Sequence, residues 1–341
     1  MEQLHDLLSR LNTPLILLLM TGAVVVLGQS AAWLVGAAVA LSEKSGLPKA
    51  VIGATVVSLG TTAPEAATSV MAAVQGNPGL ALGNAVGSVI CDTGLILGLC
   101  ALLGPLPLQG QTLVRQGRVQ LGAGILLVLV AIPWMTPQSI FQLGGHLSQP
   151  MGFIFLFLLL MYLHRSFLWA RRQGKIDAPW EESQGAGASL PLIALKLGGA
   201  VLLVVGSSQI LIATATTTAQ RFGVPQSIIA ATLIAFGTSV PELVTAITAV
   251  RRQHGELALG NIIGADILNV LFVAGAAASV TSGGLRVDPV FFTLLFPSMI
   301  AILVTFRAGI FFSQDQFNPR FGWLLLSLYA LVTILSYLYG S

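Results

Sequence analysis

Long apolar stretches joined by short polar connections make up almost the whole sequence. A helix needs about 20 mostly apolar residues to cross the hydrocarbon core of a bilayer, and ten stretches meet that requirement. They lie at approximately 15–41, 50–74, 79–103, 119–135, 150–169, 191–219, 226–250, 257–280, 289–306 and 321–340. The longest polar connection, about 170–190, separates five predicted helices from the other five. The pattern therefore predicts an all-α membrane protein with ten transmembrane helices and no soluble domain.

The composition supports this class and excludes several others. Of the 341 residues 55% are hydrophobic and 9% are charged, whereas soluble domains carry about 25% charged residues. A net charge of +3 is too small and too scattered for a nucleic-acid-binding protein. No nucleophile–base pair, phosphate loop or histidine-containing metal motif occurs, so an enzyme is the least favoured class. We expect a lipid bilayer as the environment, no cofactor, and no obligate protein partner.

The basic residues predict an orientation. When the loops are assigned alternately to two faces, 13 of the 16 lysines and arginines fall on one face. The positive-inside rule makes that face cytoplasmic. An even number of spans then places both termini outside, and we expect the chain in the cytoplasmic (inner) membrane.

The chain contains an internal repeat. An offset of 177 residues aligns 46–101 with 223–278 without a gap, and 20 of the 56 pairs are identical. A unit of five spans is odd in number, so the second copy enters from the opposite face, as in many secondary transporters. We therefore predict two inverted five-helix repeats, which occupy 1–175 and 191–341, with a cytoplasmic connecting loop at 176–190. A duplicated scaffold without function would not explain why the polar stretches match best.

Each repeat carries acidic residues in the middle of its apolar helices. GTTAPE ends at Glu65 and GTSVPE ends at Glu242, and both glutamates fall near mid-bilayer. The next spans carry Asp92 and Asn269, each 27 residues after its glutamate, and Asp266 lies one turn before Asn269. A carboxylate at this depth costs on the order of 2.5–3.5 kcal/mol. These positions are therefore candidates for function.

No basic residue is available to neutralise these acids. Lys49, Arg251 and Arg252 lie only at the cytoplasmic ends of the same spans, so either protons or bound cations must balance the charge. Pro64 and Pro241 each kink their helix next to a glycine and free backbone carbonyls. Carboxylate, carbonyl, hydroxyl and carboxamide oxygens are the ligands that calcium prefers. Histidine and cysteine are absent from the cluster, which argues against zinc or copper.

Five hydroxyl side chains near the acids are candidate sodium ligands. They are Thr61, Thr62, Ser88, Thr238 and Ser239. The alternative for any one of them is a hydrogen bond to the backbone of its own helix, which is the more common state of a hydroxyl in a membrane helix.

At these residues the sequence resembles the calcium/cation antiporter superfamily, most closely its bacterial sodium/calcium exchanger branch. The pairs GTTAPE with GNAVGSVICD, and GTSVPE with GNIIGADILN, carry the resemblance. It implies that Glu65 and Glu242 are the central calcium ligands. It also implies that the five hydroxyls, with backbone carbonyls near Ser58 and Ala235, form flanking sodium sites. The family exchanges several sodium ions for one calcium by alternating access, with spans one and six sliding against the core.

Two features of the sequence depart from the family pattern. Such exchangers often have Asn where Asp92 stands and Asp where Asn269 stands, and commonly Ser in place of Ala265. Asp266 lies on nearly the same helical face as Asn269 and is a candidate to replace the missing ligand by taking a proton or a cation. The leading interpretation is an antiporter that extrudes calcium against inward sodium. The alternatives are a proton-coupled calcium/cation exchanger and, less favoured, a passive cation channel.

Overall fold

A computed structural model describes residues 11–108, 111–135, 140–172, 189–222 and 235–340. Most of the predicted connecting loop, 176–188, and the first part of the seventh predicted span, 226–234, lie outside these residues. Within the described ranges the chain is almost entirely helical.

Twelve helices and two short strands form in the described part of the chain. The helices are α1 Thr13–Ser45, α2 Lys49–Thr61, α3 Ala63–Val74, α4 Pro78–Leu103, α5 Gln111–Ala131, α6 Gln149–Arg172, α7 Leu190–Arg221, α8 Ala235–Gly237, α9 Val240–Arg251, α10 Gly255–Val280, α11 Phe291–Phe312 and α12 Pro319–Gly340. The strands are β1 Gly145–Leu147 and β2 Leu285–Val287.

Eight of these helices are individually long and apolar enough to cross a membrane: α1, α4, α5, α6, α7, α10, α11 and α12. The predicted span at 50–74 is not one helix, because α2 ends at Thr61 and α3 begins at Ala63. The described part of the predicted span at 226–250 is broken in the same way between α8 and α9. In both places a proline enters the first turn of the following helix, and its missing N–H cannot continue the hydrogen bonds of the previous one. The kinks expected from the sequence thus appear as short interruptions of the helix, at Thr62 in the first half and at Thr238 and Ser239 in the second.

Helix α10 lies at the centre of the fold, and nearly all of its side chains are buried. It packs very closely on α2, since a Cβ atom added to Gly260 would lie 2.1 Å from the carbonyl oxygen of Ala50. An ion pair of 3.4 Å between Lys49 Nζ and Glu256 Oε1 joins the first turns of the two helices. The long helices α1 and α7 pack along each other and expose many large apolar side chains, as expected for a lipid-facing surface.

Two backbone pairings join connections between helices. Strand β1, between α5 and α6, pairs antiparallel with β2, between α10 and α11. The segment between α4 and α5 pairs with the segment between α11 and α12, where Leu108 N–H donates to Asp315 O (2.8 Å) and Phe317 N–H donates to Leu106 O (2.9 Å). If α4, α5 and α6 are matched with α10, α11 and α12, each pairing is the counterpart of the other.

Candidate functional site

The two broken helices place a glutamate at equivalent points. Glu65 is the third residue of α3 and Glu242 is the third residue of α9. Both side chains are completely buried. The first turn of a helix has free N–H groups and the positive end of the helix dipole, which favour negative charge. The breaks therefore create two buried helix N-termini, each with its own carboxylate.

The structure brings these two glutamates together. The Thr62 hydroxyl, which lies at the first break, donates to Glu242 Oε1 (3.3 Å). The carboxyl group of Glu65 is close enough to those of Glu242 and Asp92 for electrostatic interaction. Both oxygens of Glu65 and Oε2 of Glu242 have no hydrogen-bond partner among the described residues. The cluster thus contains buried oxygen atoms available to a ligand.

Asn84 of α4 connects the two breaks. Its amide nitrogen donates to the backbone carbonyl of Glu65 (3.2 Å) and to the hydroxyl of Ser69 (2.9 Å). Its amide oxygen accepts a hydrogen bond from Thr238 Oγ1 (3.3 Å). Asn84 therefore fixes the start of α3 and the break before α9 relative to α4.

Asp92 and Asn269 face each other from α4 and α10. The Asn269 amide donates to Asp92 Oδ2 (3.4 Å), while Oδ1 of each side chain has no partner among the described residues. In both helices the backbone widens into a π-helical segment at this level, over Ile90–Leu97 and Asn269–Ala274. Such widened turns redirect side chains and are frequent at functional sites.

Asp266 does not meet Asp92 in the same way, although it lies only one turn before Asn269. Its Oδ2 accepts hydrogen bonds from Thr93 Oγ1 of α4 and from Gln120 Nε2 of α5. Its Oδ1 has no partner in the described part of the chain. The Asp266 and Asp92 carboxyl groups are within electrostatic range of each other, so the acidic cluster extends from α3 and α9 to α4 and α10.

The predicted hydroxyl and carbonyl ligands have mixed surroundings. The hydroxyls of Ser58 and Thr61 donate to carbonyls of their own helix, those of Thr55 and Ser58 (3.4 Å each). The Ser58 carbonyl also accepts the Thr62 N–H (2.8 Å). Ser239 is completely buried and its hydroxyl has no partner among the described residues.

The two remaining candidates lie nearby in the fold. Ser88 is buried on α4, one turn before Asp92. Ala235 begins α8, and its side chain is outside the described set.

Known proteins share this architecture along most of the chain. The sodium/calcium exchanger protein family matches residues 14–168 and 192–338. The inner membrane protein YrbG of Escherichia coli is 34% identical over 294 residues, covering 85% of this chain and 86% of that protein. The sodium/calcium exchanger MaX1 of Methanosarcina acetivorans is 28% identical over 297 residues, covering 79% and 84%. A solved structure of the sodium-calcium exchanger NCX_Mj superimposes with a TM-score of 0.79 at 25% identity, covering 94% of this chain and 98% of that one.

The chain belongs to the sodium/calcium exchanger family. It is a multi-pass membrane protein and a cation antiporter of the calcium-transporting class, not an enzyme. The resemblance inferred from the GTTAPE and GTSVPE motifs is thereby confirmed at the level of family.

The carboxylates of this exchanger do not form a complete metal cage by themselves. Among the described residues no group of three or more His, Cys, Asp or Glu side chains is close enough to hold a metal ion. A cation bound between Glu65 and Glu242 would need further oxygens from hydroxyl, amide or carbonyl groups. Calcium accepts this mixture of oxygen ligands.

Three polar side chains of the site were not predicted as site residues from the sequence. Asn84 belongs to the repeated GN pair, and Thr93 directly follows Asp92 in the sequence. Gln120 lies outside both repeated segments. Its signal is a carboxamide inside a predicted apolar span, which is costly to bury without a partner.

Proposed function

We propose that this exchanger is a secondary active antiporter that exchanges calcium for sodium across the cytoplasmic membrane by alternating access. The observation that carries the proposal is the meeting of Glu65 and Glu242, both buried, with three carboxylate oxygens unpartnered among the described residues. MaX1 and NCX_Mj, which resemble this chain, are sodium/calcium exchangers by name.

The negative charge of this cluster provides a physical basis for coupling calcium transport to sodium transport. Two buried carboxylates repel each other and lack the solvation of water, so an empty and fully ionised site is costly. One divalent cation, or a set of monovalent cations, removes that cost. A change between inward-facing and outward-facing states is therefore favourable only when one or the other cargo is bound, which is the requirement for exchange rather than leak.

Each part of the site has a proposed role. Glu65 and Glu242 bind calcium between the two buried helix N-termini. Thr61, Thr62, Ser88, Thr238 and Ser239, with the carbonyls of Ser58 and Ala235, contribute to flanking sodium sites. Asp92, Asn269 and Asp266 extend the cluster of oxygen ligands for additional cations.

We also propose that the chain crosses the membrane ten times, as two inverted repeats with both termini outside. The eight long helices and the broken pair α2–α3 would account for nine crossings, and the predicted span at 226–250, of which α8 and α9 are described, would be the tenth. The two matched loop pairings, β1 with β2 and Leu108 with Asp315, support the inverted arrangement. The long pair α1 and α7 is then the part that slides against the core.

A proton-coupled calcium/cation exchanger is the second candidate. The observation in its favour is the presence of Asp92 and Asp266 in addition to the two glutamates, because each extra buried carboxylate can bind a proton in place of a cation. Against this candidate, one oxygen of Asp266 accepts two hydrogen bonds. That arrangement is more typical of an ionised carboxylate than of a protonated one.

Ion flux through the purified protein distinguishes the two. Proteoliposomes loaded with sodium and diluted into sodium-free medium with radioactive calcium should accumulate calcium, and choline-loaded vesicles should not. Uptake in choline-loaded vesicles that follows an imposed pH gradient would overturn sodium coupling in favour of the proton-coupled candidate. Uptake with neither gradient would overturn antiport itself.

A further inference from the structure

Gln120 links helix α5 to the acidic cluster. Its side chain is almost fully buried, and its amide nitrogen donates both to Thr93 Oγ1 (3.1 Å) and to Asp266 Oδ2. The Thr93 hydroxyl donates to the same Asp266 oxygen. One carboxylate oxygen is thus bound by donors from two different helices, while the other has no partner among the described residues.

The Asp266 position is not matched in the other half of the exchanger. At the repeat offset of 177 residues, Asp266 corresponds to Val89 and Thr93 corresponds to Val270. Gln120 lies outside the repeated segments 46–101 and 223–278. Val89 is completely buried, and its side chain carries no oxygen that could bind a cation.

The two hydrogen bonds to Oδ2 restrict the orientation of the Asp266 carboxylate. Two donors on Oδ2 fix the plane of the carboxylate against α4 and α5, and a fixed ligand loses less side-chain freedom when it binds an ion. Oδ1 then remains as an acceptor within a cluster that already contains Asp92. Without Gln120, Thr93 alone would hold the carboxylate and its orientation would be less restricted.

We propose that Gln120 is a positioning residue for cation binding, which holds Asp266 so that Oδ1 serves as a ligand for a transported sodium ion. The inference rests on the proposed sodium-coupled function. Asp266 in the second half is then a cation ligand with no counterpart in the first half, where Val89 occupies the equivalent position. Gln120, which holds Asp266, lies on α5, outside the repeated segments 46–101 and 223–278.

The test compares Gln120→Met with Gln116→Met. Gln116 lies one turn earlier on α5, is completely buried, and neither atom of its amide has a partner among the described residues. Methionine keeps the side-chain length and removes the amide. In the flux assay, Gln120→Met should raise the half-saturating sodium concentration about tenfold, equivalent to about 1.4 kcal/mol. Its maximal rate should stay within about twofold, and Gln116→Met should match the wild type.

A double variant distinguishes a positioning role of Gln120 from a general packing role. In an Asp266→Asn protein, Gln120→Met should have little further effect on sodium affinity, because the group that it positions is already changed. Sodium-dependent shifts of melting temperature in detergent, with choline as the ionic control, give the same comparison without transport.

Three outcomes would overturn the inference. Equal behaviour of the two methionine variants, an effect of Gln120→Met confined to the maximal rate, or an undiminished effect in Asp266→Asn would each contradict positioning. If the wild type takes up calcium with sodium and Gln120→Met behaves like Gln116→Met, only this inference fails. If the wild type shows no sodium-driven uptake, the proposed function fails and the inference fails with it.

Discussion

The two halves of the exchanger are alike in backbone and different in side chains. In each half a helix breaks before a proline, a glutamate occupies the first turn of the next helix, and a π-helical segment follows in the neighbouring span. The additional carboxylates do not match. The first half has Asp92 where the second has Asn269, and the second has Asp266 where the first has Val89.

This difference separates two requirements of the site. In the proposed alternating-access cycle, two matched conformations need two matched backbones, because each half would perform the movement of the other when the site opens to the opposite side. The ions are unequal in charge and number, so the side chains that bind them need no symmetry. The matching backbone features are therefore assigned to the conformational cycle, the matching glutamates to the shared calcium site, and the unmatched side chains to ion selectivity.

The largest expected effect comes from the feature that both halves share. Glu65→Gln and Glu242→Gln should each reduce sodium-driven calcium uptake more than about 100-fold, because loss of one partner from a buried charged site costs about 3–5 kcal/mol. Uptake in proteoliposomes measures this effect, and the calcium-induced rise in melting temperature should disappear in both variants. Substantial uptake by either variant would show that the halves contribute unequally at this position, against the comparison drawn here.

A smaller effect is expected where the halves differ. Asp92→Asn should lower the transport rate about tenfold, since it removes a carboxylate that accepts a hydrogen bond from Asn269. Asn269→Asp should be at least as harmful, because two carboxylates then face each other. The double exchange restores one acid and one amide, and should recover a rate within about threefold of the wild type. Calcium uptake by the four proteins tests this, and additive losses in the double variant would show that the acid must reside in the first half.

The last effect, on stability instead of on transport, concerns two matching glycines that both contact α7. A Cβ atom at Gly60 would lie 2.8 Å from Val201 Cγ2, and one at Gly237 would lie 2.9 Å from Ile212 Cδ1. Valine is restricted at χ1, whereas the end of the isoleucine side chain can rotate away. Gly60→Ala should therefore reduce the free energy of unfolding by about 1–3 kcal/mol, and Gly237→Ala by less.

Denaturant or thermal unfolding in detergent measures the difference between these glycine variants. Gly122→Ala is a suitable control, since a Cβ atom there would meet nothing within 4 Å. A larger loss of unfolding free energy for Gly237→Ala than for Gly60→Ala would contradict this prediction.

Local chemistry made much of the site predictable from the sequence. A proline near a glutamate inside an apolar span specifies a helix break with a buried acid, whatever surrounds it. This reasoning selected Glu65 and Glu242 as candidate site residues, and the resemblance of their motifs pointed to the family. The repeat offset then located Asp92 and Asn269, because the same backbone recurs.

Contacts between distant helices were not predictable in the same way. Gln120 reaches Asp266 across 146 positions of sequence, and no periodicity or motif encodes which faces of α5 and α10 meet. The hydroxyl of Thr61 shows the reverse difficulty. Its residue type suggested an ion ligand, but in the structure it donates to the Ser58 carbonyl of its own helix, as isolated hydroxyls in membrane helices commonly do.

The two loop pairings have a consequence for the barrier between conformations. They link connections that flank α4, α5, α6, α10, α11 and α12, and neither involves α1 or α7. These two long helices are instead joined to each other, where Arg221 donates to Thr13 Oγ1 (3.0 Å). A displacement of the α1–α7 pair as one body would break neither backbone ladder, so the height of the barrier would depend on how side chains such as Val201 and Ile212 pass over the glycines beneath them.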